Sequence, residues 1–380
     1  MKIFLYVLLA VAAIIGGTVC WFLYSFKTVD KLSVSPTATK EERLALIDGY
    51  LAGLHAKNNF NGAVLFAEKG EPLLMKTYGF TDHTAEHELT TNSSFRLASV
   101  SKQFTAAGIL RCAELGLLRL DAPAANYIQF RYPGVTVRHL LNQTSGIPDE
   151  YMQLGEAHRD SIGKVLTNTV VVNLMHAHGG PATGKPNDAY AYSNTNYALL
   201  AAIIETASGR SFPDFMQAEL FTPLGMADSR VFLLSDSLTT FPNKTEGFIS
   251  VFGAREPMTP EFLEGVGGDG NVFASIQDFL KWDAFWRGDN GLVNDSLLRE
   301  AFVTPTLNDG STSNYGFGWL VTPTNQWHNG SWLGARTVIF RNPTSETVLV
   351  LLDNSTNFKF DAIVAEVTSA LRSSATAAGS

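Results

Sequence analysis

Cysteine is nearly absent from this chain of 380 residues, which has only Cys20 and Cys112. Cys20 sits inside an apolar run, so the rest of the chain holds a single thiol. That excludes an internal disulfide framework and leaves the redox compartment open. Clustered positive charge is missing as well. Charged residues make up 17% of the chain, the formal net charge is −8, and no Lys/Arg cluster stands out. The electrostatic footprint of a nucleic-acid binder is therefore lacking, and no nucleic-acid partner is expected. The pair His176-Ala177-His178 has no carboxylate or cysteine at a useful spacing, so no metal site is expected there. No internal repeat is evident.

What is present is a large apolar fraction, 45% of residues, enough for a globular protein with a sizeable core. The longest uncharged run, Ile3 to Phe26, is long enough for a helix that crosses a bilayer. It is longer than the apolar core of a signal peptide and ends in Trp21, Phe22 and Tyr24, the residue types of an interface belt. The expectation is a single-pass membrane protein: an uncleaved anchor over 1–27, with the membrane contacted through 3–26. A polar linker over 28–40, a catalytic domain over 41–372 and a flexible tail over 373–380 follow. Lysines flank both ends of the apolar run, so charge alone does not orient it.

Helical spacing of Leu44, Ile47, Leu51 and Leu54 predicts a helix over 41–55. Gly62–Ala67 and Pro72–Met75, split by a Glu-Lys-Gly turn, read as a hairpin, as do Thr337–Phe340 and Thr347–Leu352. Between them, from about 96 to 265, helices and loops dominate. Apolar positions at Phe360, Ile363, Val364, Val367 and Leu371 predict a terminal helix. Strands at both ends with helices between them give an α+β reading. One antiparallel sheet is flanked by helices, with a mostly helical subdomain inserted.

Three short motifs carry chemistry. Ser99-Val100-Ser101-Lys102 places a hydroxyl and an amine three residues apart, on one face if the segment is helical. Serine needs such a base to become a nucleophile. The pattern occurs again at Ser161-Ile162-Gly163-Lys164, so company must decide between them. Tyr192-Ser193-Asn194 can aim a phenol and an amide into one cleft from an extended stretch. His328-Asn329-Gly330, read as preceding a strand near Thr337, can supply backbone donors for an oxyanion. Gly330 would let substrate approach the backbone. His178-Gly179-Gly180 is a second, loop-like copy of that pattern.

These motifs occur in order with Leu140-Leu141-Asn142-Gln143-Thr144-Ser145-Gly146-Ile147, Gly268-Asp269-Gly270-Asn271-Val272-Phe273 and Tyr315-Gly316-Phe317-Gly318-Trp319. In this order the chain resembles the serine β-lactamase-like family, in its class C branch, which includes D,D-peptidases, D-aminopeptidases and esterases. The resemblance spans about Gly62 to Leu352. It implies a β-lactamase/transpeptidase-like fold and a serine hydrolase acting on amide or ester acyl groups of a peptide or small molecule. It also implies Ser99 as acylated nucleophile, Lys102 and Tyr192 sharing proton transfer, and Asn194 positioning substrate. Ser99 and Ser331 backbone N–H groups would form the oxyanion hole, and no cofactor is implied. Which of Lys102 and Tyr192 takes the first proton stays open.

Three departures from the family pattern matter. His328-Asn329-Gly330 replaces the usual Lys-Thr-Gly, and a neutral imidazole holds a substrate carboxylate less strongly than an ammonium. This favours peptidase and esterase relatives over a β-lactamase proper. Gln143 stands where relatives carry histidine, with a packing consequence expected. Pro186-Asn187 replaces Pro-Gly, acceptable because asparagine visits left-handed backbone. The rival from another class is a non-catalytic receptor for peptidoglycan fragments or a protein partner. An extracytoplasmic catalytic domain is inferred from the family.

Overall fold

Valine, leucine and isoleucine runs from the two ends of the chain meet in one sheet. The structure is a computed structural model that describes residues 28–234, 240–251 and 254–372. In chain order the strands are β1 (Gly62–Glu68), β2 (Glu71–Tyr78), β3 (Phe95–Arg96), β4 (Arg230–Val231), β5 (Phe248–Val251), β6 (Ala254–Pro257), β7 (Val272–Ala274), β8 (Leu320–Val321), β9 (Gln326–Trp332), β10 (Ala335–Asn342) and β11 (Thr347–Asp353). The longer helices are α1 (Lys40–Ala56), α2 (Ser101–Glu114), α3 (Asn168–His178), α4 (Asn194–Ser208), α5 (Ile276–Arg287) and α6 (Phe360–Arg372).

The described residues fall into two compact units. The smaller contains α1 and α6. A capping box between Thr39 and Glu42 starts α1, and the buried Arg43 guanidinium donates to the carbonyls of Ala38 and Ala370. The larger unit, Asn61–Thr356, holds every described strand and the candidate site.

Its main sheet runs β2-β1-β11-β10-β9-β8, with every neighbouring pair antiparallel. The central strands are buried on both faces: Ala63 to Ala67 on β1 and Val348 to Leu352 on β11 are all below a tenth exposed. Such strands need continuous apolar runs, which is how they read in the sequence. Helix α5 lies against β1, β2 and β11. Its Trp282 is fully buried and stacks on Phe104 of α2 at 3.8 Å, which links the sheet to the helical layer.

Helix α2 is buried almost all round, from Ser101 to Leu110, as expected of a helix inside a core rather than on a surface. It packs on α4. Gly108 faces α4, where a Cβ would sit 3.0 Å from Ile204 Cδ1.

Two expectations are corrected. The transmembrane helix over 3–26 lies outside the described residues, and no helix among the described residues is long and apolar enough to cross a membrane. The described residues form the β-lactamase/transpeptidase-like α+β architecture expected, and on this finding the single-pass, extracytoplasmic localisation is withdrawn. The flexible tail over 373–380 also lies outside the described residues. In addition, His328-Asn329-Gly330 does not precede a strand but lies within β9. Short polar residues have low strand propensity, and pairing with β10 overrides it.

Arg341 of β10 is 4% exposed and joins sheet to helix, with Nε 2.7 Å from Asp283 Oδ1 of α5 and NH1 2.7 Å from Gln326 Oε1. Removing Arg341 leaves the buried Asp283 carboxylate with Arg287, 3.1 Å away, as its remaining cation and strands Gln326 Oε1. Arg341→Leu should lower unfolding free energy by about 3 kcal/mol, read as a lower urea midpoint with an unchanged slope.

Candidate active site

The turn that carries Ser99 is set by its neighbours. Strand β3 ends at Arg96, and Leu97 N donates to Val272 O at 2.9 Å. Ala98 then takes φ +48°, a left-handed conformation that costs a non-glycine residue about 1–3 kcal/mol. This reversal starts a short 3-10 turn over Ala98–Val100 that runs into α2. Ser99 is left half-buried at the wall of a cleft, with Lys102 one turn further on. The other serine of the motif, Ser101, is fully buried and accepts from Val272 N at 3.0 Å.

Lys102 is 0% exposed. Its Nζ lies 3.2 Å from Ser99 Oγ, 2.8 Å from Asn194 Oδ1 and 2.9 Å from the Asp269 carbonyl oxygen. Asn194 is the first residue of α4. The same Nζ sits 5.0 Å above the Tyr192 ring, so Ser99, Lys102, Tyr192 and Asn194 converge on one point. Tyr192 is 37% exposed, and among the described residues its hydroxyl has no hydrogen-bond partner.

Beside Ser99 runs β9. A Cβ on Gly330 would lie 2.5 Å from Leu97 O, 2.6 Å from Thr337 Oγ1 and 2.8 Å from Ser99 N. The approach that needs glycine is that of the Ser99 turn itself, not of a substrate. Thr337 Oγ1 donates to Leu97 O at 2.8 Å and holds the turn against β10. Ser331 follows, exposed and lining the cleft with Ser99.

His328 is buried, at 3% exposure. Burial, then the nearby Lys102 charge, lowers its imidazole to about 3, so the ring is neutral at ordinary pH. Its Nδ1 lies 2.6 Å from Asn329 O, an acceptor only, and therefore carries the proton. Nε2 then accepts from the Tyr315 hydroxyl at 3.0 Å, which burial keeps protonated. Both ring nitrogens are thus engaged within the protein.

Several supporting residues had no role in the sequence reading. The backbone oxygen of Gln143 accepts from Ala191 N at 2.9 Å, and its side-chain oxygen accepts from Ser193 N at 3.1 Å and Asn196 Nδ2 at 2.7 Å. These bonds bracket Tyr192 on both sides, well beyond packing. Asp149 Oδ1 accepts from Thr195 N at 2.9 Å and caps the start of α4. Gly318, at φ +75°, packs on the Lys102 backbone, where a Cβ would meet the carbonyl at 2.7 Å. Arg96 bonds Glu264 at 2.6 Å and Asn271, and Glu264 also accepts from Trp332 Nε1. The Asp269 carboxyl is pushed up to about 6 by burial, against the opposing pull of the Lys102 charge and the Tyr151 hydroxyl 2.8 Å away. Gln143, Asp269, Asn271 and Gly318 fall within the ordered landmarks of the sequence, which was the available signal, whereas Asp149, Glu264 and Trp332 fall outside them.

The competing motifs separate from the site. Ser161 bonds its own turn at His158 O, and Gly163, at φ +98°, ends that helix before Lys164, so the pair shares no face. His176 and His178 lie at the C-terminal end of α3, a helix rather than the loop expected, and His178 stacks on His158. Among the described residues there is no metal-ligand cluster. Asn187 takes the left-handed backbone expected of it, φ +69°.

The Beta-lactamase family model matches residues 47–371. A penicillin-binding protein of Bacillus subtilis (strain 168) is 36% identical over 317 residues, covering 79% of this chain and 69% of the relative. A D-aminopeptidase of Brucella canis is 29% identical over 269 residues, covering 68% of this chain and 48% of the relative. The chain thus spans about half the length of that D-aminopeptidase. Among solved structures, a penicillin-binding protein from Bacillus halodurans gives a TM-score of 0.70 at 24% identity, covering 83% of this chain and 98% of the other. That likeness shows the fold. The chain belongs to the Beta-lactamase family and is a serine hydrolase.

Two outcomes are expected. Gly330→Ala should push the Ser99 turn off β9 and reduce kcat/KM by roughly 10²-fold, as small misplacements of reacting groups do, while the fold survives by circular dichroism. His328 has a folded pKa near 3 against about 6.5 unfolded. The unfolded state therefore gains its proton first as pH falls. Stability present at neutral pH is lost below about 6.5, the loss levelling off near 3 and reaching about 2 kcal/mol by pH 5. The urea midpoint should fall more between pH 7 and pH 5 in the wild type than in His328→Gln.

Proposed function

We propose that the protein hydrolyses an amide or ester by way of an acyl-enzyme on Ser99. The observation that carries this reading is the setting of Lys102 Nζ, in contact with Ser99 Oγ, Asn194 Oδ1 and the Asp269 carbonyl. Nζ donates to the two carbonyl-type oxygens and to Ser99 Oγ, which fixes the amine against the hydroxyl along the line a proton would travel.

Ser99 Oγ then attacks the substrate carbonyl carbon as its proton passes to the Lys102–Tyr192 pair. The oxyanion forms beside the Ser99 and Ser331 amides, where fixed donors act most strongly. Collapse breaks the bond to the amine or alcohol, which leaves with that proton. Water enters by the reverse sequence, releasing the acid and restoring Ser99. Asn194 holds the substrate amide. No cofactor is needed for either half-reaction.

The substrate class follows from relatives and charge together. The relatives include a penicillin-binding protein and a D-aminopeptidase, which supports D-amino-acid peptides, amides or esters. His328 is neutral and internally bonded, so it offers no cation to a β-lactam carboxylate. Slow turnover of β-lactams is expected beside faster turnover of amides or esters.

The test is intact-mass spectrometry after exposure to a fluorophosphonate. Wild type and Ser161→Ala should each gain one adduct, mapped to Ser99. Ser99→Ala should gain none and lose about 10⁴-fold or more in ester hydrolysis. Labelling that persists in Ser99→Ala would refute the assignment to Ser99, and a wild type that takes no label would bring forward a non-catalytic binding role.

A further inference from the structure

The stretch of chain that delivers Tyr192 is irregular, with no helix or strand between His178 and Asn194. The Tyr192 ring stands 6.0 Å from the Tyr315 ring and 6.2 Å from the His328 ring, but no bond to its hydroxyl holds it. Its position is therefore set by the backbone, and that backbone hangs on one turn. Thr183 N donates to Gly146 O at 2.9 Å, Asn187 N to Thr144 O at 2.8 Å and Ala191 N to Gln143 O at 2.9 Å. Ser193 N donates to the Gln143 side-chain oxygen at 3.1 Å. The residues on either side of Tyr192 thus end on the same glutamine. Gln143 is fully buried, takes a left-handed backbone at φ +63°, and its Nε2 has no hydrogen-bond partner among the described residues. Both features are unfavourable. Strain of this kind at the residue that grips Tyr192 points to a role in the chemistry.

We propose that Gln143 is a positioning residue for Tyr192, its backbone and side-chain oxygens together fixing where the phenol stands in the proton relay. The inference rests on the Ser99 acyl-transfer reading and deepens it. Gln143 Oε1 also accepts from Asn196 Nδ2 at 2.7 Å, but the start of α4 has other ties. Ser145 Oγ donates to Asn196 Oδ1 at 2.8 Å, and Thr195 N donates to Asp149 Oδ1 at 2.9 Å. Among the described residues the Ala191 and Ser193 amides bond only Gln143, and Ser193 Oγ makes a longer contact with Asp149 at 3.3 Å. Loss of the Gln143 side-chain oxygen therefore frees Tyr192 more than Asn194. The side chain works here solely as an acceptor, so an oxygen in the place of Oε1 is what the site requires.

The test measures kcat and KM for p-nitrophenyl acetate in Gln143→Met and Gln143→Asn, each alone and combined with Tyr192→Phe. Methionine keeps the length without the acceptor. Asparagine is one methylene short and accommodates a left-handed backbone, so it carries the test if Gln143→Met does not fold. Each single variant should lose roughly 10²-fold in kcat, as small misplacements of reacting groups do, with KM little changed. In the Tyr192→Phe background the same changes should cost less than roughly 3-fold, because residues that act as a unit are not additive. Gln143→Glu should recover most of the loss, since burial favours its neutral carboxyl and the carbonyl oxygen replaces Oε1. A Gln143→Asn that turns over at the wild-type rate would overturn the proposal. So would equal losses in both backgrounds, which would mean that Gln143 acts through α4 and Asn194 instead. Fluorophosphonate labelling is read on the same wild-type preparation. Labelling at Ser99 with equal losses removes this inference alone. No labelling and no ester hydrolysis removes the acyl-transfer reading, and this inference falls with it.

Discussion

A lysine with no exposure to solvent is the constraint on which this structure turns. Burying an amine is unfavourable unless its hydrogen bonds are satisfied, and Lys102 is satisfied by three separate stretches of chain. One is its own turn at Ser99, one is the start of α4 at Asn194, and one is the backbone at Asp269. If any of the three moves, the amine loses a partner in a place water does not readily reach. The same bonds that solve a burial problem therefore hold a hydroxyl, an amide and an amine at fixed spacing.

The surrounding structure keeps those three stretches in place with contacts that have no chemistry of their own. Ala98 accepts a strained backbone so that the chain can turn from β3 into α2 with Ser99 on the outside of the bend. Gly330 and Gly318 remove side chains where β9 and the 315–319 segment press on the backbone at Ser99 and Lys102. Gln143 grips the chain on either side of Tyr192, and Asp149 caps the helix that begins at Asn194. Arg96 and Glu264 form a buried ion pair along one wall of the cleft, with the exposed Trp332 donating to Glu264, and Asp269 with Tyr151 also lines it. The sheet and α5 supply the rigid body behind them, with Trp282 and Phe104 stacked at the joint.

Legibility in the sequence differed by element. β1, β2, β10 and β11 were readable as apolar runs split by turn residues, and α1 and α6 because their apolar residues repeat with the helical period. β9 was not, because its Asn, Gly and Ser have little strand preference and are held by pairing with β10. His328 was recognised as a departure from the family pattern. Its neutrality was foreseen, but its bond to Tyr315 was not, since that contact depends on how 315–319 folds over β9. Gln143 was read as packing because its partners lie about fifty residues away.

By itself the sequence determined the α+β class, the family and the order in which the short motifs occur. These rest on composition, local periodicity and ordered short motifs, all of which are properties of the chain read in one dimension. Only the tertiary structure decided which Ser-x-x-Lys is assembled, why Gly330 must be glycine, where the His328 proton sits, and that Asp269 lines the cleft. Each of these depends on burial or on contact between segments far apart in the chain, and neither quantity is written in the order of the residues.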